Sequence, residues 1–250
     1  MVASGENLMN SYGKLCALFY DTTKKYASEK ETSFYASFMK KDGRVLEAMC
    51  GSGRLLIPLL QKGFIVDGID NAPAMLDRCR VRCDTLGLSP LLYQQSLEAL
   101  LLPHKYDTVT IAVGSFQLIV DQDHALQALK NLRNCMTLGG DLLIDTFTPE
   151  KNDSVRSERI ARIDATTTIR FTSRYQFHST EKMVDAFCLY ELLKQGVVVE
   201  AENELMQLTW YEDQEIEQLL FKARFQLVDI YDETLRETGP SRIVHARAID

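Results

Sequence analysis

Nowhere does the chain approach the run of about 18 apolar residues that a membrane-spanning helix requires. From Met1 to Tyr20 it interleaves Glu6, Asn7, Asn10 and Lys14 with apolar residues, so no export or membrane signal is readable, and the expected location is cytoplasmic. Glycine and proline are scarce, 13 and 6 in 250 residues, while 46% of the chain is hydrophobic and 25% charged. That balance excludes collagen-like, low-complexity and disordered classes. A chain of this length buries roughly three quarters of its unfolded surface, so it needs neither disulfide nor metal to hold a core. The six cysteines (Cys16, Cys50, Cys79, Cys83, Cys135, Cys188) form no CxxC pair and have no histidine pair at ligand spacing nearby, so reduced, buried thiols and no metal are expected. His104, His124, His178 and His245 are isolated and read as solvated or structural. Positive charge is in deficit: 28 Lys and Arg against 35 Asp and Glu give −7, a field that opposes phosphate backbones and makes nucleic acid an unfavoured partner. The one basic group, Lys24-Lys25, Lys30, Lys40-Lys41 and Arg44, is interrupted by Glu29, Glu31 and Asp42 and reads as a solvated helix face.

What is present is alternation. Between residues 44 and 145 short apolar runs at 44–48, 64–69, 91–95, 108–113 and 141–146 read as strands, with helical patterns at 54–62, 74–86 and 123–136 between them. Pro73 suits a first helical residue, and Gly139-Gly140 is expected to stop the third helix. Repeated strand–helix units of this kind predict an α/β, Rossmann-like, doubly wound and mostly parallel sheet. After Pro149 the texture changes. Charged residues run from Glu150 to Arg159, and then 166–169, 171–177, 183–193 and 197–208 read as three or four antiparallel strands, an inserted β-meander with turns at 178–182 and Gln195-Gly196. A helix at 213–223 and strands at 225–231 and 241–249, broken by Gly239-Pro240, predict an antiparallel C-terminal strand in a hairpin closing one sheet edge.

The chemistry is concentrated in Glu47-Ala48-Met49-Cys50-Gly51-Ser52-Gly53-Arg54, followed by a helix and a second strand ending at Asp70. Gly51 and Gly53 let the backbone turn sharply and let a ligand approach main-chain N–H groups at a helix N-terminus. Asp70 stands where an acid reaches a ribose diol in nucleoside-binding βαβ units. Glu47 decides which nucleoside: a carboxylate at the strand end repels a pyrophosphate and suits a cationic ligand.

At these residues the sequence resembles class I S-adenosylmethionine-dependent methyltransferases, in the branch acting on N or O of small molecules, from about Tyr20 to the C-terminus. The family's first motif, an acid, two residues and C-G-x-G, corresponds to Glu47 through Gly53, with Met49 where the common pattern has its first glycine. The resemblance implies S-adenosylmethionine as cofactor. It places the ribose on Asp70, the methionine part near Ala48, Cys50, Gly51 and Gly53, and the adenine against Met75, with Asn71 beside it. Gln95, Ser96 and Leu97 lie where the third strand's end would touch the adenine, Val113 where cofactor and acceptor meet, and Leu138-Gly139-Gly140 looks like the family's turn before the fifth strand. Phe19-Tyr20-Asp21 is similar to a lid element of small-molecule methyltransferases. The expected organisation is an N-terminal helical lid at 1–43, a cofactor-binding domain at 44–149 and 209–250, and the meander at 150–208 as a substrate lid. Gln117 and Leu118 stand where several such relatives carry a histidine beside the acceptor. The expected catalytic residues are Tyr20 and Gln117, and the acceptor cavity is expected from Tyr12, Phe116, Gln117, Arg174, Tyr175, Trp210 and Tyr231.

A sulfonium already carries an activated methyl group, so alignment and exclusion of water are the main demands, worth about 7–11 kcal/mol in favourable cases. The expected function is methyl transfer to a small-molecule acceptor by a monomer or homodimer. The rivals are a catalytically silent cofactor-binding or scaffold protein and a NAD-dependent oxidoreductase, the latter disfavoured by Glu47 and Met49.

Overall fold

The structure, a computed structural model, describes residues 12–149, 157–236 and 239–250. In chain order its first elements are α1 (Lys14–Thr23), α2 (Glu29–Ala36), β1 (Arg44–Ala48), α3 (Leu56–Gln61), β2 (Ile65–Asp70), α4 (Pro73–Thr85), β3 (Leu92–Gln94), β4 (Tyr106–Ile111), α5 (Gln122–Asn134) and β5 (Met136–Thr146). There follow β6 (Ser157–Arg162), β7 (Thr167–His178), β8 (Met183–Lys194), β9 (Val197–Thr209), α6 (Asp213–Lys222), β10 (Phe225–Arg236) and β11 (Gly239–Ala248). The chain divides into two compact units, one of Tyr26–Thr148 with Trp210–Asp250, the other of Pro149–Thr209 with the residues up to Lys25. The expected lid at 1–43 is therefore divided. Helix α2 stays with the sheet unit, because Tyr35 is buried there among Val45, Leu56 and Leu59.

The sheet unit carries seven strands in the order β10-β11-β5-β4-β1-β2-β3. β1 is parallel to β2 and β4, and β4 to β5, while β11 runs antiparallel to both β5 and β10. This is the expected doubly wound sheet with its antiparallel C-terminal strand. Alternate strand residues serve opposite faces. Val45, Val66 and Leu143 pack with Leu56, Ile57 and Leu59 of α3 and Leu76, Cys79 and Cys83 of α4. Leu46, Val109 and Leu142 pack instead with Ala125, Leu129 and Leu132 of α5 and Ile216 and Leu220 of α6. From β1 the chain winds one way to β2 and β3 and the other way to β4 and β5, which puts the topological switch point, where ligands bind in sheets of this kind, at the carboxyl ends of β1 and β4.

Local chemistry sets the element ends. Asp121 caps α5 through the His124 amide, and Glu212 and Glu215 form a capping box on α6. The third helix ends earlier than its sequence pattern indicates. Met136 already belongs to β5 and pairs with Tyr106, and a bulge with Gly139 left-handed (φ +75°) re-joins the ladder at Thr108 and Asp141. Leu138-Gly139-Gly140 is therefore part of a bulged strand rather than the turn before it.

The second unit is a four-stranded antiparallel sheet, β6-β7-β8-β9. Gln195 and Gly196, both left-handed (φ +51° and +79°), make the two-residue hairpin expected of them. Two expectations change here. Residues 166–169 and 171–177 are one strand, β7, and the first strand is β6, inside the charged run: an edge strand of Ser, Glu and Arg burying only Ala161. Helix α1 packs Leu15, Cys16 and Phe19 on Ile169, Phe171, Cys188 and Tyr190, with Phe19 stacked on Phe171 at 5.1 Å. Its N-cap residue, Gly13, has no side chain to offer, and Glu202 of β9 accepts the Leu15 and Cys16 amides, both at 3.0 Å, in its place.

Candidate functional site

β1 delivers the chain into a turn, residues 49–54, that is left-handed at Met49 (φ +58°), Gly51 (+54°) and Gly53 (+82°). Met49 thus holds, with a side chain, the conformation for which the common motif uses glycine, at a cost of about 1–2 kcal/mol. The two glycines differ in why they are glycine. A Cβ at Gly53 would stand 2.7 Å from Cys79 Sγ, whereas one at Gly51 would meet nothing nearer than Met75 Sδ at 3.9 Å. One face of the turn is packed against α4 and the other is open.

Asp70, at the end of β2, closes this turn. Its Oδ2 accepts the Gly51 amide at 2.7 Å and its Oδ1 the Ala72 amide at 2.9 Å, so the acid both braces the loop and caps the approach to α4. Burial pushes the Asp70 carboxyl upward, opposed by those amides and that of Asn71. Met75 is buried beneath the loop and Asn71 is exposed beside it. From the far side of the loop, Arg82 of α4 donates to the Ser52 carbonyl at 2.8 Å.

Glu47 points from β1 to the α3 side and is 3% exposed; among the described residues its Oε2 has no hydrogen-bond partner. Burial pushes its carboxyl up to about 8; Arg54 and the Leu56 amide oppose that rise, and Glu31 and Asp70 add to it. Level with Glu47 on β4 stands Thr110, whose buried hydroxyl is likewise without a partner. Beside them Arg54 forks onto Glu31, Nη1 to Oε2 at 2.7 Å and Nη2 to Oε1 at 2.5 Å. Glu31 is thus no part of a solvated face. Neither Glu31, Arg54 nor Thr110 was indicated by the motif, although Arg54 follows it directly.

The end of β4 is also strained. Val113 (φ +59°) and Gly114 (+70°) are left-handed in succession, and the Val113 amide donates to Asp145 Oδ2 at 2.9 Å. A β-branched residue rarely adopts this conformation, and such strain clusters at functional sites. Fully buried, the Gln117 side-chain amide exchanges hydrogen bonds with the Phe147 main chain, Nε2 to O and N to Oε1, both 2.9 Å. It is a bracket between the turn after β4 and the end of β5.

The other expected acceptor residues have the following surroundings. Phe116 is fully buried in the core and packs on Tyr211, ring centroids 5.8 Å apart. Tyr231 packs with Phe34, Phe38 and His245 under α2. Trp210 is buried. Arg174 and Tyr175, neighbours on β7, necessarily take opposite faces of their sheet. Tyr175 joins the cluster under α1, and exposed Arg174 lies on Phe187 at 5.1 Å. Tyr12 and Tyr20 lie in the same unit as Tyr175, Tyr12 with its amide on Glu204 and Tyr20 half-buried under Lys24. At the end of β3, Gln95 ties its side chain to the main chain of Leu101, half-buried Ser96 precedes a single helical turn, and Leu97 is buried in the core.

Residues 45–140 match the family described as "Methyltransferase domain". Residues 45–140 are thus a methyltransferase domain. Among similar sequences, "Putative methyltransferase GWCH70_2453" of Geobacillus sp. (strain WCH70) is 24% identical over 227 residues, 88% of this chain and 89% of its own. The phosphatidylethanolamine N-methyltransferase of Cereibacter sphaeroides is 28% identical over 127 residues, 50% of this chain and 62% of its own. The fold is that of the sugar N-methyltransferase KedS8 from Streptoalloteichus sp ATCC 53650, with TM-score 0.78 and 16% identity over 100% of this chain and 99% of that one. S-adenosylmethionine is the cofactor of class I methyltransferases. The turn of this methyltransferase domain fits that group: a buried acid with an unfilled oxygen lies beneath it, Asp70 beside it, and open space at Gly51 above it. Among the described residues no group of His, Cys, Asp and Glu could hold a metal ion, and no helix is long and apolar enough to cross a membrane.

Proposed function

We propose that the protein transfers a methyl group from S-adenosylmethionine to a nitrogen or oxygen of a small-molecule acceptor, working in the cytoplasm as a monomer or homodimer. The observation that carries this reading is the turn of residues 49–54, open at Gly51, braced by Asp70 and underlain by Glu47. Asp70 holds the ribose diol, since each oxygen that accepts one amide keeps capacity for a hydroxyl. The loop around Ala48, Cys50, Gly51 and Gly53 takes the methionine part, with Glu47 supplying negative charge beneath it. Met75 packs on the adenine, with Asn71, Gln95, Ser96 and Leu97 around it, and Val113 lies at the junction with the acceptor. Trp210 is the remaining acceptor residue of the sheet unit.

When bound, S-adenosylmethionine supplies a methyl group on positively charged sulfur. The chain's own work is to hold the acceptor in line and keep water out, a positional task that requires no protein nucleophile. An amine acceptor can lose its proton to water before it binds, so a locked Gln117 is no obstacle. An amine acceptor is the kind that two structures of this fold suggest: KedS8 is a sugar N-methyltransferase, and CalS10 from Micromonospora echinaspora (TM-score 0.72, 18% identical, covering 98% of this chain and 99% of that one) is an amino pentose methyltransferase. The test is calorimetric titration with S-adenosylhomocysteine and with NAD, followed by assay of homocysteine-product release over a panel of amino sugars, amines and hydroxyls. Tight S-adenosylhomocysteine with no NAD binding, and turnover on a panel member, are expected. NAD binding contradicts the reading, and tight S-adenosylhomocysteine without turnover on any acceptor makes the protein a silent cofactor binder.

A further inference from the structure

Beneath the turn lies a buried group of three ionisable side chains on three different segments: Glu31 on α2, Arg54 after the turn and Glu47 on β1. Glu31 and Arg54 are only 2% and 11% exposed, and the fork between them is two-pronged. Arg54 is pinned a second time through its carbonyl, which accepts the Ala27 amide at 2.9 Å. Burying an ion pair adds little net stability, because desolvation offsets most of the attraction. What the fork does fix is position: the guanidinium cannot swing away from the acid on β1. That acid is incomplete, with an unfilled oxygen and, level with it on the next strand, the unfilled hydroxyl of Thr110.

Resting on the methyltransferase reading above, we propose that Arg54, locked by Glu31, is the positioning residue of the cofactor site, and that Glu47 gives up a proton when a ligand's ammonium settles over the turn. The groups facing Glu47 are Arg54, Glu31 of α2, Asp70 of β2, Cys50 of the turn and Cys79 of α4. Buried and with no hydrogen-bond partner for Oε2, the Glu47 carboxyl is held above its ordinary range in the ligand-free protein, which favours the protonated form at neutral pH. A positive charge above the loop, poorly screened in this dry setting, favours the carboxylate; the carboxyl O–H bond breaks and the proton passes to solvent. Binding therefore tightens as pH rises from 6 towards 8, by about tenfold per unit where one proton is released. Arg54 and Glu31 act on this midpoint in opposite directions, as the opposite signs of their charges require.

The test is calorimetry with S-adenosylhomocysteine in buffers of different ionisation enthalpy, from pH 6 to 8. The wild-type protein is expected to release close to one proton at pH 7. 5′-Methylthioadenosine, which lacks the amino-acid arm, is expected to release none, as is Glu47→Gln with either ligand. Glu31→Gln shifts the affinity midpoint to lower pH and Arg54→Gln to higher pH; should Arg54→Gln not fold, the Glu31→Gln shift decides. If S-adenosylhomocysteine binds with no proton release and a flat pH profile, this proposal is overturned while the methyltransferase reading stands. If it fails to bind at every pH, both fall together.

Discussion

Asp70 and Gly51, at the ends of neighbouring segments, are joined by a 2.7 Å hydrogen bond from the glycine amide to the carboxylate. The acid that would hold the ribose is thus also the one that shapes the loop receiving the rest of the ligand. Asp70→Ala is expected to weaken S-adenosylhomocysteine by at least the 1.5–3 kcal/mol typical of charged hydrogen bonds, about 10- to 150-fold by calorimetry. Because the loop loses its brace as well, Asp70→Asn, which keeps an acceptor for one amide, should fall between the two. Equal affinity of all three proteins would remove Asp70 from the site.

The two turn glycines separate folding from binding. Gly53→Ala drives a methyl group to 2.7 Å from Cys79 Sγ at a left-handed position, and a loss of roughly 2–4 kcal/mol in denaturant unfolding is expected. Gly51→Ala meets no protein atom within 3.9 Å, so its stability cost stays near the roughly 1–2 kcal/mol of the left-handed backbone. Its methyl group enters the space reserved for ligand, and affinity should drop more than tenfold. An alanine at 51 that binds normally would show that the ligand lies elsewhere.

Glu47 makes stability depend on pH. Its folded-state carboxyl, at about 8, lies above the ordinary value of 4.5, so between those values the folded protein binds the extra proton and stability falls as pH rises. Glu47→Gln removes this dependence. In urea titrations the variant is expected to be more stable than wild type at pH 8 and to lose most of that advantage at pH 5, while binding S-adenosylhomocysteine less tightly. A wild-type profile with no decline from pH 5 to 8 would refute the assignment.

Gln117 offers a contrast with the cofactor residues. Gln117→Ala leaves the Phe147 amide and carbonyl unpaired, and a loss of about 1–3 kcal/mol is expected. The turnover of the folded protein should change by less than about tenfold, measured well below the unfolding temperature. A thousandfold loss of turnover at unchanged stability would restore Gln117 to the chemistry.

The sheet and the turn were legible because their signals are local. Apolar runs with Gly punctuation placed β1 to β5, and Glu47, Gly51, Gly53 and Asp70 lie within one strand–turn–helix–strand unit. What escaped depends on chain segments meeting in space. Glu31 looked like one charge in a solvated run, and only the fold brings it to Arg54. Alternation along β7 separates Arg174 from Tyr175, although adjacency in sequence suggested a shared wall. Phe116 is an aromatic residue at a plausible position that tertiary packing turned into core, and Tyr231 is half-buried against Phe34 and Phe38. β6 was hidden because an edge strand carries charge where a central one is apolar.

The most direct measurement is a crystal structure of the protein with S-adenosylhomocysteine. The nucleoside should lie across the carboxyl ends of β1 and β2, its ribose hydroxyls on Asp70 and its ammonium above Glu47. Density for the ligand at another place, or a crevice filled by side chains with both carboxylates turned away, would contradict the account.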